Sequence, residues 1–302
     1  MSLIWFGLTG CDATSKKHPF GTEPLDDAPM ETVIARINQN SAGMNFLMRA
    51  IGDARGEYVK PDGSRNSFHL RNILLYRKPR NLYLQLEHSM SGVVMEIGSN
   101  DTEFWVWSKQ GDQQYWWGLH SKTSEADEIN IPVRPDHLLA VLGLGDLPKD
   151  TTGDNGPVFR VRSDHYELMF MDRTEKGQLY ITKTLCIERR EPFLIREIIF
   201  SNLSGRQIMN ATLSKYKTIE GSNVLVPHQI EILSLKSKNH LKLDFDKMER
   251  FDNPAAEEQL ISQSPRQRGE RLGHVERIDE PSQLSLPPTL SPTTPSDNQV
   301  KP

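Results

Sequence analysis

Residues able to do covalent chemistry are few in this sequence, and the first is Cys11. Leu8-Thr9-Gly10-Cys11 sets an aliphatic residue, two small residues and then a thiol. Small residues let a peptidase approach the bond before Cys11, and the free thiol is the acyl acceptor. The other cysteine, Cys186, lies in Thr182-Lys183-Thr184-Leu185-Cys186-Ile187 and reads as a small buried strand residue. With Cys11 carrying lipid, one thiol makes neither an internal disulfide nor a cysteine-based metal cluster. His69, His88, His120, His137, His165, His228 and His240 are scattered, with no HExxH and no metal-ligand spacing. Gly143-Leu144-Gly145 lacks the third glycine and the preceding strand of a dinucleotide loop. Asp62-Gly63-Ser64 and Asp112 belong to turns, and no Gly-x-Ser-x-Gly elbow occurs. The sequence therefore predicts no catalytic residue, no metal set and no cofactor, and the chain is not expected to be an enzyme.

What precedes and follows Cys11 fits lipid attachment. The run Met1 to Gly10 ends in the order of a bacterial lipobox and is read as a lipoprotein signal. It is short, with no Lys or Arg before the cysteine, so part of the signal is expected to be missing. Residues 11–29 are polar and hold Pro19, Gly21 and Pro24, which reads as a flexible tether. Acyl chains contribute about 0.8 kcal/mol per buried CH₂, so two or three of them hold a protein to a membrane without a transmembrane helix. No later apolar stretch approaches the roughly 20 residues of a span. The expected address is the bacterial envelope, facing the periplasm, on either membrane. Net charge is −4 and the basic residues are dispersed, which leaves no footprint for nucleic acid.

The elements behind the tether change period once. Met30, Val33, Ile34 and Ile37 recur at helical spacing, predicting a helix over 31–41 capped by Asp26 or Asp27, with Pro29 in its first turn. From Asn45 the pattern is that of strands. Phe68 to Tyr76, Leu82 to Glu87, Val93 to Ile97, Phe104 to Trp107 and Gln114 to Leu119 are separated by close turns, and such spacing builds an antiparallel meander. Pro135-Asp136 opens a short helix through Leu138, Leu139, Val141 and Leu142, with Gly143 placed to end it. Strands resume at Val158 and run to Phe245. From Asp252 prolines lie among Ser, Gln, Glu and Arg with no aromatic after Phe251, so 252–302 is expected to be a disordered tail.

Two sets of apolar residues stand out on the first meander. Phe104, Trp105, Trp107, Tyr115, Trp116 and Trp117 hold every tryptophan after Trp5. On paired strands Trp105 and Trp107 share a face, as do Tyr115 and Trp117, while Trp116 projects oppositely. Leu82, Leu84 and Leu86, with Val93, Met95 and Ile97, form a second stripe. Both sets fit ordinary core packing across strands, and both fit the wall of an apolar cavity.

Several local patterns carry a family resemblance. They are Tyr76-Arg77-Lys78-Pro79-Arg80-Asn81-Leu82-Tyr83-Leu84, Ser99-Asn100-Asp101-Thr102-Glu103-Phe104-Trp105-Val106-Trp107, Arg190-Glu191-Pro192-Phe193-Leu194 and the stretch Val224 to Ile232. Their order over residues 30–251 resembles that of the LolA/LolB superfamily of lipoprotein-localisation factors and related envelope proteins. That resemblance implies a mainly β (α+β) fold. It would be a half-open antiparallel β-barrel with the N-terminal helix and the short inserted helix as a lid, near Val33 and Leu139. The expected lining of its apolar cavity is Leu82, Leu84, Leu86, Met95, Trp105, Trp107, Tyr115 and Trp117. The expected partners are a membrane reached through Cys11, a lipid or lipoprotein acyl chain, or another envelope protein. With no small ligand, the same domain would be structural or regulatory.

Overall fold

The computed structural model describes residues 27–59, 63–109, 113–120, 135–151, 156–174, 176–235, 237–251 and 263–279. The expected signal, Cys11 and most of the tether lie outside these residues. Helix α1 (Met30–Ala42) forms where Val33, Ile34 and Ile37 repeat at helical spacing, and all three are buried. Of the two aspartates expected as caps, Asp26 lies outside the described residues and Asp27 accepts from Arg189 instead. Pro29 occupies the N-cap with no side-chain cap hydrogen bond, and its carbonyl accepts from the Thr32 and Val33 amides.

Six strands follow: β1 (Met48–Val59), β2 (Arg65–Arg77), β3 (Asn81–His88), β4 (Gly92–Ser99), β5 (Glu103–Ser108) and β6 (Gln114–Leu119). Helix α2 (Pro135–Val141) interrupts them where the sequence placed it. The second run is β7 (Val158–Val161), β8 (His165–Arg173), β9 (Leu179–Glu188), β10 (Ile195–Ser201), β11 (Gln207–Thr218), β12 (Leu225–Ser234) and β13 (His240–Arg250), with β14 (His274–Arg277) last. All join one 14-stranded sheet in the order β14-β6-β5-β4-β3-β2-β1-β13-β12-β11-β10-β9-β8-β7. The two meanders meet where β1 pairs antiparallel with β13, and Gly52 marks a register shift in that ladder. A side chain at Gly52 would run into the Asp244 backbone, so only glycine fits there. The half-open barrel is an open antiparallel sheet: β7 and β14 end it and do not pair with each other.

Alternation gives the sheet two distinct faces. The inner face carries both helices. Val33, Ile34 and Ile37 of α1, with Leu138, Val141 and Leu142 from the α2 region, share one buried cluster with Leu84, Leu74, Ala50, Leu243, Ile230, Leu213, Ile198 and Leu185 of successive strands. The outer face is mostly polar, with two local apolar groups. One joins Leu47, Leu75, Tyr83 and Phe251. The other joins Trp105, Tyr115 and Leu272, with Trp107 and Trp117 against it.

Leu272 belongs to the stretch expected to be disordered, and that expectation fails at residues 263–279. β14 pairs parallel with β6, from His274 opposite Gln114 to Arg277 opposite Trp117. Ser264, Leu272, Ile278 and Asp279 are buried. Composition misled because it counts apolar area, whereas this segment is held largely by arginines on aromatic rings and carboxylates.

Candidate functional site

The eight predicted lining residues do not meet in one cavity. Leu84 pairs with Ile97, Ile97 with Val106 and Val106 with Trp116, a row on the inner face. Leu82, Leu84, Leu86 and Met95 lie on that face. The neighbouring row runs Tyr83, Gly98, Trp105, Trp117 and faces outward. Trp105, Trp107, Tyr115 and Trp117 therefore point away from both helices. The turn between β4 and β5 fixes this split, because it pairs Ser99 with Phe104. Asn100 holds the turn, its side-chain oxygen accepting from the Thr102 and Glu103 amides at 3.0 and 2.9 Å.

Residues 263–277 cover the aromatic group. The Arg266 guanidinium lies 4.0 Å from the centroid of the Trp117 ring and that of Arg277 lies 4.9 Å from it. Arg266 also pairs with Glu103, a buried carboxylate at the start of β5. Arg268 reaches Glu96 at 3.5 Å, and the Tyr83 hydroxyl donates to the same carboxylate at 2.8 Å. Burial holds the Glu96 carboxyl above the usual range despite these partners. Asp279 accepts from Arg277 at 2.7 Å and from the Leu119 amide at 3.0 Å. Beneath this cover the Trp105 indole lies flat on Gly98, where an added Cβ would come within 2.1 Å of the ring. This group is packed core, the plainer of the two readings open from sequence.

Openings on the inner side lie along α1. One cleft of about 520 Å³ is bounded by Ile37 and Gly43 on one wall and by Phe193, Ile195, Tyr216 and Val224 on the other. Arg36, Gln39 and Asn40 supply its polar rim. The Tyr216 hydroxyl donates to the Ile195 carbonyl and is held in its neutral form chiefly by burial. A second cleft of about 550 Å³ lies on the other flank, with Ile34, Ala35 and Ala42 beside Lys78, Asp146 and Lys149. Lys78 contacts Asp146 at 2.6 Å, and that ammonium holds the carboxyl below its usual range.

Two asparagines and a serine hold α1 between the clefts. Asn38 donates to the Leu147 carbonyl at 3.0 Å and accepts from the Leu147 amide at 2.8 Å. Asn40 does the same with Leu225, at 2.9 and 2.8 Å. Two residues along a helix is about 200° of rotation, so the amides grip opposite sides. Ser41 donates to the Leu144 carbonyl at 2.7 Å. The reading of α1 as an apolar stripe passed over these residues; two asparagines at i and i+2 after a buried stripe were the available signal.

The groups able to do chemistry are dispersed among the described residues. Cys186 is buried, and burial pushes its thiol up to about 12, unsuited to nucleophilic attack or metal ligation at neutral pH. No group of three or more His, Cys, Asp or Glu side chains among the described residues is placed to hold a metal ion. His120 is tied to the Asn100 carbonyl at 2.9 Å, and burial lowers its pKa.

The sequence resemblance implies a half-open antiparallel barrel lidded by two helices, and the chain has the antiparallel sheet and the two helices on one face, with the sheet open. The chain is similar in structure to a LolA superfamily protein from Nitrosomonas europaea. That match has 15% identity and a TM-score of 0.46, and covers 76% of this chain and 97% of that one. It is similar to a DUF1329 family protein from Desulfovibrio piger at 9% identity and a TM-score of 0.48, over 76% and 97% of the two chains. A suggested outer membrane lipoprotein-sorting protein domain from Vibrio parahaemolyticus matches at 8% identity and a TM-score of 0.46, over 77% and 98%. No family model and no curated protein matches the sequence.

Proposed function

We propose that this chain is an envelope protein, tethered through lipid on Cys11 and facing the periplasm, that binds a lipid or lipoprotein acyl chain and catalyses no reaction. The observation that carries the reading is the cleft between α1 and the ends of β10, β11 and β12. Its walls, Ile37, Phe193, Ile195 and Val224, belong to the inner-face cluster itself, so the cleft is an opening into the apolar interior. Sites for acyl ligands join apolar walls to polar groups at the mouth, and here Arg36, Gln39, Asn40 and Asn223 supply the polar part. Delipidated protein should take up a fluorescent fatty acid saturably, and Val224→Trp, which fills the cleft, should weaken that uptake at least about fivefold. No saturable uptake of any acyl probe would defeat the binding reading. The tether is tested separately: Cys11→Ala should abolish fatty-acid labelling and release the protein from membranes.

A second reading has its own support. Val33, Leu138 and Val141 have no exposure, so the helices fill much of the inner face. A filled interior suits a structural or regulatory envelope protein acting through protein partners, and failure of acyl uptake would favour it.

A further inference from the structure

Lys183 occupies an unusual place on the inner face. It stands in β9 opposite Phe170 of β8 and Phe200 of β10. Leu185 and Ile187, two and four residues further along, are buried in the inner-face cluster, and alternation puts Lys183 on their side of the sheet. Its ammonium lies 4.6 Å from the centroid of the Phe170 ring. Phe200 on its other flank is buried and lies tilted against His137 of α2 with centroids 4.5 Å apart. A half-buried cation is thus set into an aromatic wall beside α2.

What it lacks, among the described residues, is a counter-charge. Lys78 has Asp146 at 2.6 Å, Lys215 has Asp244 at 3.4 Å, Lys242 has Asp244 at 3.8 Å and Lys247 has Glu249 at 2.6 Å. Among the described residues no carboxylate stands within ion-pair distance of Lys183. Burial lowers its pKa with no opposing charge to restore it. One ring face offsets only part of a cation's desolvation, and the remainder favours any anion that can reach it.

The surroundings say what kind of anion. Ile195, in the wall of the cleft beside α1, is five residues from Phe200 along β10, about 17 Å at roughly 3.3 Å per residue. Between them Ile198 and Leu185 continue the apolar track. We propose that Lys183 seats the anionic head, carboxylate or phosphate, of an acyl lipid whose chain runs along this track toward the cleft. This rests on the acyl-binding reading above and adds to it the charge of the ligand and the position of its head.

The probes are oleate, oleyl alcohol and inorganic phosphate, titrated onto delipidated full-length protein. Lys183→Met keeps the aliphatic stem and removes the charge. It should weaken oleate about tenfold, the worth of one charged hydrogen bond, and leave oleyl alcohol unchanged, while Lys183→Arg restores oleate binding. The parent protein must itself prefer oleate to oleyl alcohol, which keeps the test decisive even if the methionine variant folds poorly. Equal affinity of the parent for both, or oleate binding indifferent to Lys183→Met, overturns the head site and leaves acyl binding standing. Phosphate binding as strong as that of oleate, lost in Lys183→Met, overturns the lipid as its source. Binding of neither acyl probe overturns the carrier reading and this proposal with it.

Discussion

The two faces of strands β4 to β6 are covered by different chemistry. On the inner face Phe104, Val106 and Ile97 meet the apolar side chains of α2 and its neighbours, and the contact is dispersion and excluded water. On the outer face Trp105, Tyr115 and Trp117 meet Leu272 together with Arg266 and Arg277, two guanidinium groups against one indole, tied to Glu103 and Asp279. A sheet can thus bury both sides of the same three strands, one with helices and one with a charged strap. The difference teaches that burial depth does not reveal what holds the cover in place.

The inner cover should break hardest. Leu138→Ala removes a fully buried side chain under α2 and should cost about 2–5 kcal/mol, read as a lower denaturation midpoint that salt does not change. Insensitivity of the midpoint to this substitution would mean that α2 is not part of the cooperative core. The strap should loosen next. Arg266→Met takes the partner from a buried carboxylate at Glu103, at a cost of about 1–3 kcal/mol. Its signature is local: red-shifted tryptophan emission and faster trypsin cleavage at Arg268 and Arg271, with the core midpoint moving less. Equal loss of core and strap would show the two covers to be one unit.

The smallest effect is on acid stability. Burial alone would raise the Asp279 carboxyl, but Arg277 and the Leu119 amide outweigh it and hold the group below the usual range. A depressed carboxylate stabilises the folded form above its unfolded pKa, about 3.9 for aspartate, and that contribution fades as pH falls through the lower folded value. Glu96, raised by burial, has the opposite sign, so the difference between the parent and Asp279→Asn isolates the aspartate. The variant should have a flatter acid limb for strap release; superimposable limbs would remove Asp279 from the account.

The inner cover was legible in the sequence and the outer one was not. Val33, Ile34 and Ile37 repeat with a helical period, and Leu82, Leu84 and Leu86 alternate with a strand period, so each announces the face it buries. Trp105 and Trp107 announce only that they share a face. Which face depends on how the Asn100 turn sets β5 against β4, a register that no side-chain pattern within either strand contains. Grouping the tryptophans with the leucines was the consequence. The strap escaped for another reason. Arg266, Arg268 and Arg277 are held by partners more than 150 residues away or by their own turn, and in isolation they read as solvated charge. Lys183 was invisible for the same reason, since its meaning lies in Phe170 and Phe200 across two ladders.

The strap also finishes the sheet. An open sheet presents two rows of unsatisfied backbone donors and acceptors, each a template on which a second chain can grow. At one margin stands β7, four residues long, with Arg160 and Arg162 both bound to Glu167. At the other stands β14, also four residues long, laid over the more apolar β6. Losing it would uncover Gln114–Leu119, whose aromatic side chains and free amides are what strand-by-strand polymerisation requires. A proteolytic nick before β14 would thus leave β6 as an edge on which a second copy of the chain could pair.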